Sequence, residues 1–295
     1  MSLIGRGRMA RRRTLVARGF WAVAMLVMGG GCFGTAPVPD RAEGEVLAIL
    51  PPSQEDRRNR YSSVVAITLP RSGKPYCTGV LISPRLVLTA GHCVCTLRKQ
   101  ESVLVGDSST CNRAATVQTA LYQPLGAKEE DVFEEHTGEV LPHPSFKVVL
   151  DKRIVKERKA DLALIRLPQA VAAKFTHVLP DIEEDIDVDE AVTIVGFGAD
   201  RVESGESVYG DLQLTRRFGD NTISEKDSAG ETFKLKSPGS LTGGGDSGGP
   251  CFRESKLVGI LSSAITGERS TFTSTYHYRG WLGKMIQETN KSKTR

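Results

Sequence analysis

Residues 243–250 read Gly-Gly-Gly-Asp-Ser-Gly-Gly-Pro, and this segment constrains the fold more than any other in the 295-residue chain. Glycine tolerates dihedrals that other residues avoid, so glycines around one aspartate and one serine let successive N–H groups point to one spot. The amides of Gly245 and Ser247 are then able to hold an oxyanion, with the Ser247 hydroxyl beside them as nucleophile. A hydroxyl alone is a weak nucleophile. The chain must therefore also supply a general base and a group that orients that base.

Five histidines are available, and His92 has the telling context, Leu-Thr-Ala-Gly-His-Cys at 88–93. It follows the strand-like runs 79–82 and 86–88, and the neighbouring cysteine pins it. The orienting carboxylate is expected between His92 and Ser247. Asp161 fits, since it opens the apolar run Asp-Leu-Ala-Leu-Ile-Arg-Leu at 161–167, which reads as a buried strand. A carboxylate at the mouth of such a strand needs a partner such as imidazole. Each feature taken singly has a plainer reading: a glycine turn, a structural His-Cys pair, a strand-end aspartate. Their joint order and spacing point to nucleophilic catalysis.

These segments resemble the signatures of trypsin-like serine endopeptidases, the chymotrypsin-fold family, in a bacterial exported form, over residues 49–288. Cys77-Thr78-Gly79 with Leu81-Ile82 resembles the strand before the histidine, and 140–144 the segment upstream of the aspartate. Residues 192–198 resemble the strand opening a second barrel, and 257–262 the strand lining the substrate cleft. The resemblance implies an all-β fold of two six-stranded antiparallel barrels with a C-terminal helix and the active site in the cleft between them. It implies His92 as base, Asp161 as orienter, Ser247 as nucleophile, and an oxyanion hole from Gly245 and Ser247. Ser262 matches the cleft serine that supports the aspartate and offers its backbone to the substrate. A disulfide Cys77–Cys93 is implied in the same way.

Composition agrees. Hydrophobic residues make up 39% of the chain, enough for a sizeable core, and short apolar runs punctuated by glycine and proline suit an all-β fold. The net charge of +4 misleads: residues 1–31 hold six arginines and no acid, leaving 33 basic against 35 acidic residues, about −2. With 6% aromatics and no basic patch interleaved with them, nucleic acid is not an expected partner. The expected partner is a polypeptide substrate, bound by a monomer, with no cofactor and no metal. The acidic run 181–190 reads as a solvated loop between barrels, since it lacks EF-type ligand spacing.

The N-terminus reads as an export signal: arginines, then an apolar stretch at 19–28 too short for a stable anchor. It ends Gly29-Gly30-Gly31-Cys32, which resembles a bacterial lipoprotein box with Gly29 in place of the usual aliphatic residue. Lipidation of Cys32 would tether the protein to a membrane through residues 32–48; ordinary signal-peptide cleavage would release it. Cys95 and Cys111 form a second expected disulfide. Cys251 reads either as a small buried hydrophobe or as the partner of Cys32. Disulfides imply an oxidising compartment outside the cytosol.

Three departures from the family shape the remaining expectations. No Ile-Val-Gly-Gly activation sequence is present; a new terminus would fall near Ile49, and Ala48-Ile49-Leu50-Pro51 resembles the mature start of glutamyl endopeptidases. Asp246 needs a cation if buried. Leu241 stands where trypsins carry an acid, which disfavours cleavage after Lys or Arg. Thr242 matches a pocket threonine of glutamyl endopeptidases, but their pocket histidine is Leu261 here. With Ser262, Ser263, Ala264 and Ser270, these residues suggest a small, apolar pocket. Gly243 replaces a cysteine, removing a disulfide beside the nucleophile loop. Trp281, Met285 and Ile286 have helical spacing, consistent with a helix about 276–289 on the second barrel. The alternative function is a catalytically inactive surface binding protein on the same fold.

Overall fold

The computed structural model describes residue 49 and residues 53–69, 73–152, 154–198, 201–203, 206–208, 214–265 and 267–291. The export signal, the tether and Cys32 lie outside the described residues.

Two closed six-stranded antiparallel barrels organise the described chain. The first consists of Val64–Thr68, Pro75–Ser83, Leu86–Thr89, Ala114–Leu121, Val132–Pro142 and Ala163–Arg166. It closes where Ala163–Arg166 pairs with Leu86–Thr89 on one side and Val132–Pro142 on the other. Val64–Thr68 and Leu86–Thr89 are buried along their whole length, which is why they read as unbroken apolar runs. The second barrel consists of Ala191–Gly196, Arg217–Lys226, Thr232–Lys236, Pro250–Arg253, Lys256–Ile265 and Arg269–Ser274, closed by the pairing of Arg217–Lys226 with Thr232–Lys236. Arg217–Lys226 alternates buried and exposed residues between Gly219 and Ser224, the two-residue period of a strand with one face on a core. A four-stranded sheet of Arg98–Gln100, Val103–Asp107, Lys147–Asp151 and Ile154–Lys159 stands beside the barrels and was not anticipated from sequence. It ends two residues before Asp161, so it borders the site described below.

The C-terminal helix runs Arg279–Lys291, after turns at 275–278. Its packing is broader than the sequence suggests. Trp281, Met285 and Ile286 pack on a core cluster that combines Val80 and Leu164 of the first barrel with Leu257 and Ile260 of the second. His143, which follows Val132–Pro142, lies edge-on to Tyr278 and Trp281 at 4.8 and 4.9 Å. The helix therefore ties both barrels rather than capping the second alone.

A buried ion pair does the same at the other end of the protease region. Arg216 is fully buried, and its Nε donates to Asp56 Oδ2 at 2.8 Å. Its remaining nitrogens donate to Val64 O, Ala120 O and Asn59 Oδ1 at 3.1–3.3 Å, and its guanidinium lies over the rings of Tyr122 and Phe197. Asp56 accepts the amides of Arg60 and Tyr61 in turn. One guanidinium thus joins the segment 56–61, two strands of the first barrel and the entry to the second. Removing one member of a fully buried pair leaves the other uncompensated, so Arg216→Met should destabilise the protein by about 3–5 kcal/mol. A lowered denaturant midpoint measures this; a midpoint within experimental error of wild type contradicts it.

Candidate active site

Leu86–Thr89 delivers the chain into a 3₁₀ turn, Gly91–Cys93, which presents His92. A Cβ at Gly91 would collide with the Phe146 ring, so only glycine allows the turn to seat there. The Cys77–Cys93 disulfide fastens the turn to Pro75–Ser83, and Cys95–Cys111 closes the loop after it. Cys251 is a free cysteine, fully buried, and burial pushes its thiol well up. That environment suits the small-hydrophobe reading of the two entertained for it.

Asp161 is buried beneath His92. Its Oδ2 lies 2.8 Å from His92 Nδ1 and accepts the Ser262 hydroxyl at 2.6 Å, while its Oδ1 accepts the His92 amide at 2.9 Å. Burial pushes the carboxyl up. The charge and hydrogen bond of His92, the Arg158 guanidinium and the Ser262 hydroxyl together outweigh it and hold the carboxyl well below the usual range. An ionised Asp161 accepting from Nδ1 places the ring proton there, which leaves Nε2 as an acceptor lone pair. His92 retains 27% of its side-chain exposure, and its Nε2 lies 3.9 Å from Cys93 Sγ.

The residue before Asp161 carries strain. Ala160 adopts φ +46, a conformation that costs a non-glycine residue roughly 1–3 kcal/mol. Its amide donates to Glu231 Oε1 at 2.9 Å, and Tyr278 OH donates to the same oxygen at 2.5 Å. Burial, then the Glu231 contact, pushes the Tyr278 phenol far up, so it remains a donor. Glu231 and Tyr278 therefore hold the turn that aims Asp161. Neither carried a sequence signal, because their partner is 71 residues away in one case and 47 in the other.

The segment 243–250 turns as its glycines predict, with φ +92 at Gly245 and +81 at Gly248. A Cβ at Gly248 would collide with Thr89 Oγ1 and Thr78 O. Thr78 is the hub of this loop; the sequence placed it in the strand before the histidine but gave no sign of this role. Its amide donates to Ser247 O at 2.7 Å, its hydroxyl donates to Gly245 O at 3.0 Å, and the same hydroxyl accepts the Phe197 amide at 3.0 Å. Among the described residues, the amides of Gly245 and Ser247 donate to no other group. The Ser247 hydroxyl makes no hydrogen bond to the His92 ring among the described contacts. The two residues are joined through backbone, with Cys93 Sγ 3.4 Å from Ser247 O.

Asp246 is buried as its position implied. Its Oδ2 accepts the amides of Gly243 and Ile49 at 2.9 and 3.1 Å, and its Oδ1 accepts Gly198 N at 2.9 Å. Burial nevertheless pushes the carboxyl up, because amide dipoles do not replace a full positive charge. Ile49 itself is wholly buried, packs in the core of the second barrel, and adopts φ +31. The specificity residues named from sequence separate into two groups. Leu241, Thr242, Leu261, Ser262 and Ser270 are buried, while Ser263 is half-buried and Ala264 exposed. The Thr242 and Ser270 hydroxyls lie 2.8 Å apart, and the Thr242 amide donates to Ser270 Oγ at 2.9 Å.

Comparison with known proteins places this geometry in a family. The family described as Trypsin matches residues 53–282. A trypsin of Simulium vittatum is 25% identical over 219 residues, covering 68% of this chain and 75% of its own. Human kallikrein-2 is 26% identical over 253 residues, covering 77% and 86%. Among solved structures, mouse neuropsin superposes with a TM-score of 0.54 at 21% identity, covering 77% of this chain and 95% of its own. Human heparin binding protein superposes with a TM-score of 0.55 at 19% identity, covering 80% and 96%. The chain belongs to the trypsin family of serine proteases, hydrolases of the peptide bond.

Thr78→Val keeps the side-chain shape but strips the hydroxyl from Gly245 O and the Phe197 amide. The expected loss of stability is about 1–3 kcal/mol, from buried groups left unpaired. Thermal unfolding of the purified variant measures it, and an unchanged melting temperature would show that Thr78 is not the hub.

Proposed function

We propose that the protein is a serine endopeptidase that cleaves through an acyl-enzyme. His92 acts as general base, Asp161 as its orienter and Ser247 as nucleophile, with the Gly245 and Ser247 amides as oxyanion hole. The observation that carries this reading is the buried Asp161 carboxylate bonded at once to His92 Nδ1, the His92 amide and Ser262 Oγ. Three bonds from two elements fix both the tautomer and the tilt of the ring. In the reaction, Ser247 Oγ attacks the scissile carbonyl carbon while His92 Nε2 takes its proton. The imidazolium then returns that proton to the leaving amine. Water deacylates the serine by the same route.

The pocket residues support a specificity that is not trypsin-like. No charged side chain stands among Leu241, Thr242, Leu261 and Ser270, and the Thr242 and Ser270 hydroxyls satisfy each other. A small or apolar residue before the scissile bond fits such a base. Likeness to the glutamyl endopeptidases is limited to the Thr242 position and the segment around Ile49.

Maturation by cleavage between Ala48 and Ile49 gives Asp246 its missing cation. The Ile49 nitrogen already stands 3.1 Å from Asp246 Oδ2, so a free α-ammonium there needs no long movement. Cleavage also removes the preceding carbonyl that defines φ at Ile49, releasing the strain of a β-branched residue at +31. The two disulfides support a location for the mature protein outside the reducing cytosol. A bacterial export signal, and lipidation of Cys32 as tether, complete the proposal.

Four outcomes follow. A fluorophosphonate probe should label matured protein and not Ser247→Ala; absence of wild-type labelling favours the inactive binding protein. Asp161→Asn should keep the fold and lower kcat on the order of 10⁴-fold, because the wrong tautomer is then favoured. Profiling on a peptide library should find neither Arg nor Glu strictly required before the cleaved bond. Finally, the precursor's raised Asp246 pKa means its stability declines as pH rises from 3.8, the ordinary value, through the folded value. Matured protein should therefore exceed a Ser247→Ala precursor in denaturant midpoint at neutral pH. The excess should vanish in acid, where Asp246 is protonated, and shrink above about pH 8 as the α-ammonium loses its proton. A fully active protein whose N-terminus is Cys32 would overturn this route.

A further inference from the structure

The strand Lys256–Ile265 changes partners at Leu261. Up to that residue one edge is taken by the Pro250–Arg253 strand and by Gly248 and Gly249. Beyond it, among the described residues, Ser263, Ala264 and Ile265 pair only with Arg269–Thr271, and residues 262–265 line a cavity of about 670 Å³. The opposite wall of that cavity is the end of Ile154–Lys159, including Arg158. An extended peptide can add to such an edge by main-chain hydrogen bonds, with alternate side chains directed to either wall.

Arg158 obstructs this. Its Nη1 donates to Ser262 O, to Ser262 Oγ at 2.9 Å and to Asp161 Oδ2 at 2.9 Å. Ser262 O is the first carbonyl of the free edge, and a substrate N–H that pairs there must share it with, or take it from, the guanidinium. The guanidinium keeps its bonds to Asp161 Oδ2 and Ser262 Oγ, and the donor given up by Ser262 O is open to a further acceptor. Two further cations line the cavity, Lys234 paired with Glu225 and Arg269 beside Glu268.

We propose that Arg158 is a specificity-determining residue that selects an acidic side chain N-terminal to the scissile bond. Substrate backbone takes Ser262 O, and a carboxylate among the three residues preceding the cleaved-bond residue takes the guanidinium. The acid replaces the acceptor that the substrate backbone takes. This deepens the endopeptidase reading above and rests on it.

The test uses matured full-length protein and fluorogenic peptides that differ only in Asp or Asn at each of those three positions. Wild type should prefer Asp over Asn by roughly tenfold in kcat/KM at one position, the scale of one charge-assisted hydrogen bond. Arg158→Gln should bring that ratio near one, Arg158→Lys should keep part of it, and Arg158→Glu should favour Lys at the same position. Fluorophosphonate labelling is measured on every variant. A wild-type ratio near one, or an unchanged ratio in a labelled Arg158→Gln, overturns the proposal while leaving the endopeptidase reading intact. Loss of labelling in all three Arg158 variants also overturns it, since Arg158 then serves to position Asp161. Failure of wild type to label overturns the endopeptidase reading itself.

Discussion

A carboxylate taken out of water must be met by hydrogen bonds and positive charge, and three of the four buried aspartates among the described residues impose that constraint on the rest of this structure. Asp56, Asp161 and Asp246 are each almost wholly inaccessible. Asp56 is answered by Arg216, which sits where the two barrels and the segment 56–61 meet. Asp161 is answered by His92, Ser262 and Arg158, drawn from both barrels and from the sheet beside them. Asp246 is answered by three amides, one of them from Ile49. In each case the demand of one charge brings together segments remote in sequence.

The same constraint explains the division of labour between barrels. The first presents His92 and Asp161 at the ends of short strands that pair with each other, Leu86–Thr89 and Ala163–Arg166. The second supplies Ser262 and the glycine loop. Thr78 bridges them, since one first-barrel residue holds Ser247 O, Gly245 O and the Phe197 amide. Rigid strands set the distances, and the loops carry only the turns that glycine or a disulfide can fix. The missing disulfide at Gly243 matters less than its absence suggests, because Asp246 holds the Gly243 amide from within.

Much of this was legible in the sequence, for identifiable reasons. The glycines of 243–250, the His-Cys pair and the apolar run after Asp161 are local signals: each states its geometry within eight residues. The two-barrel fold followed from the family resemblance and from short apolar runs with frequent turns. What escaped was non-local. Arg216 looked like an ordinary arginine beside a second one, yet it is fully buried. Glu231 and Tyr278 had no pattern around them, and Thr78 was read only as part of a strand. Arg158 lay in a mainly basic stretch, Lys156-Glu157-Arg158-Lys159, with no motif around it. The helix 279–291 was recognised from its spacing, but its attachment to His143 of the first barrel was not.

The sequence by itself determined the residue types of the candidate site, their order, and the backbone conformations that glycine alone permits, because those depend on covalent neighbours. Tertiary structure decided which charges are paired. That Ile49 N reaches Asp246, that Arg158 occupies Ser262 O, and that Arg216 neutralises Asp56 depend on contacts 197, 104 and 160 residues apart. Coulombic and hydrogen-bond energies fall off over a few ångströms in space and are indifferent to separation along the chain. They are set only once the strands have closed.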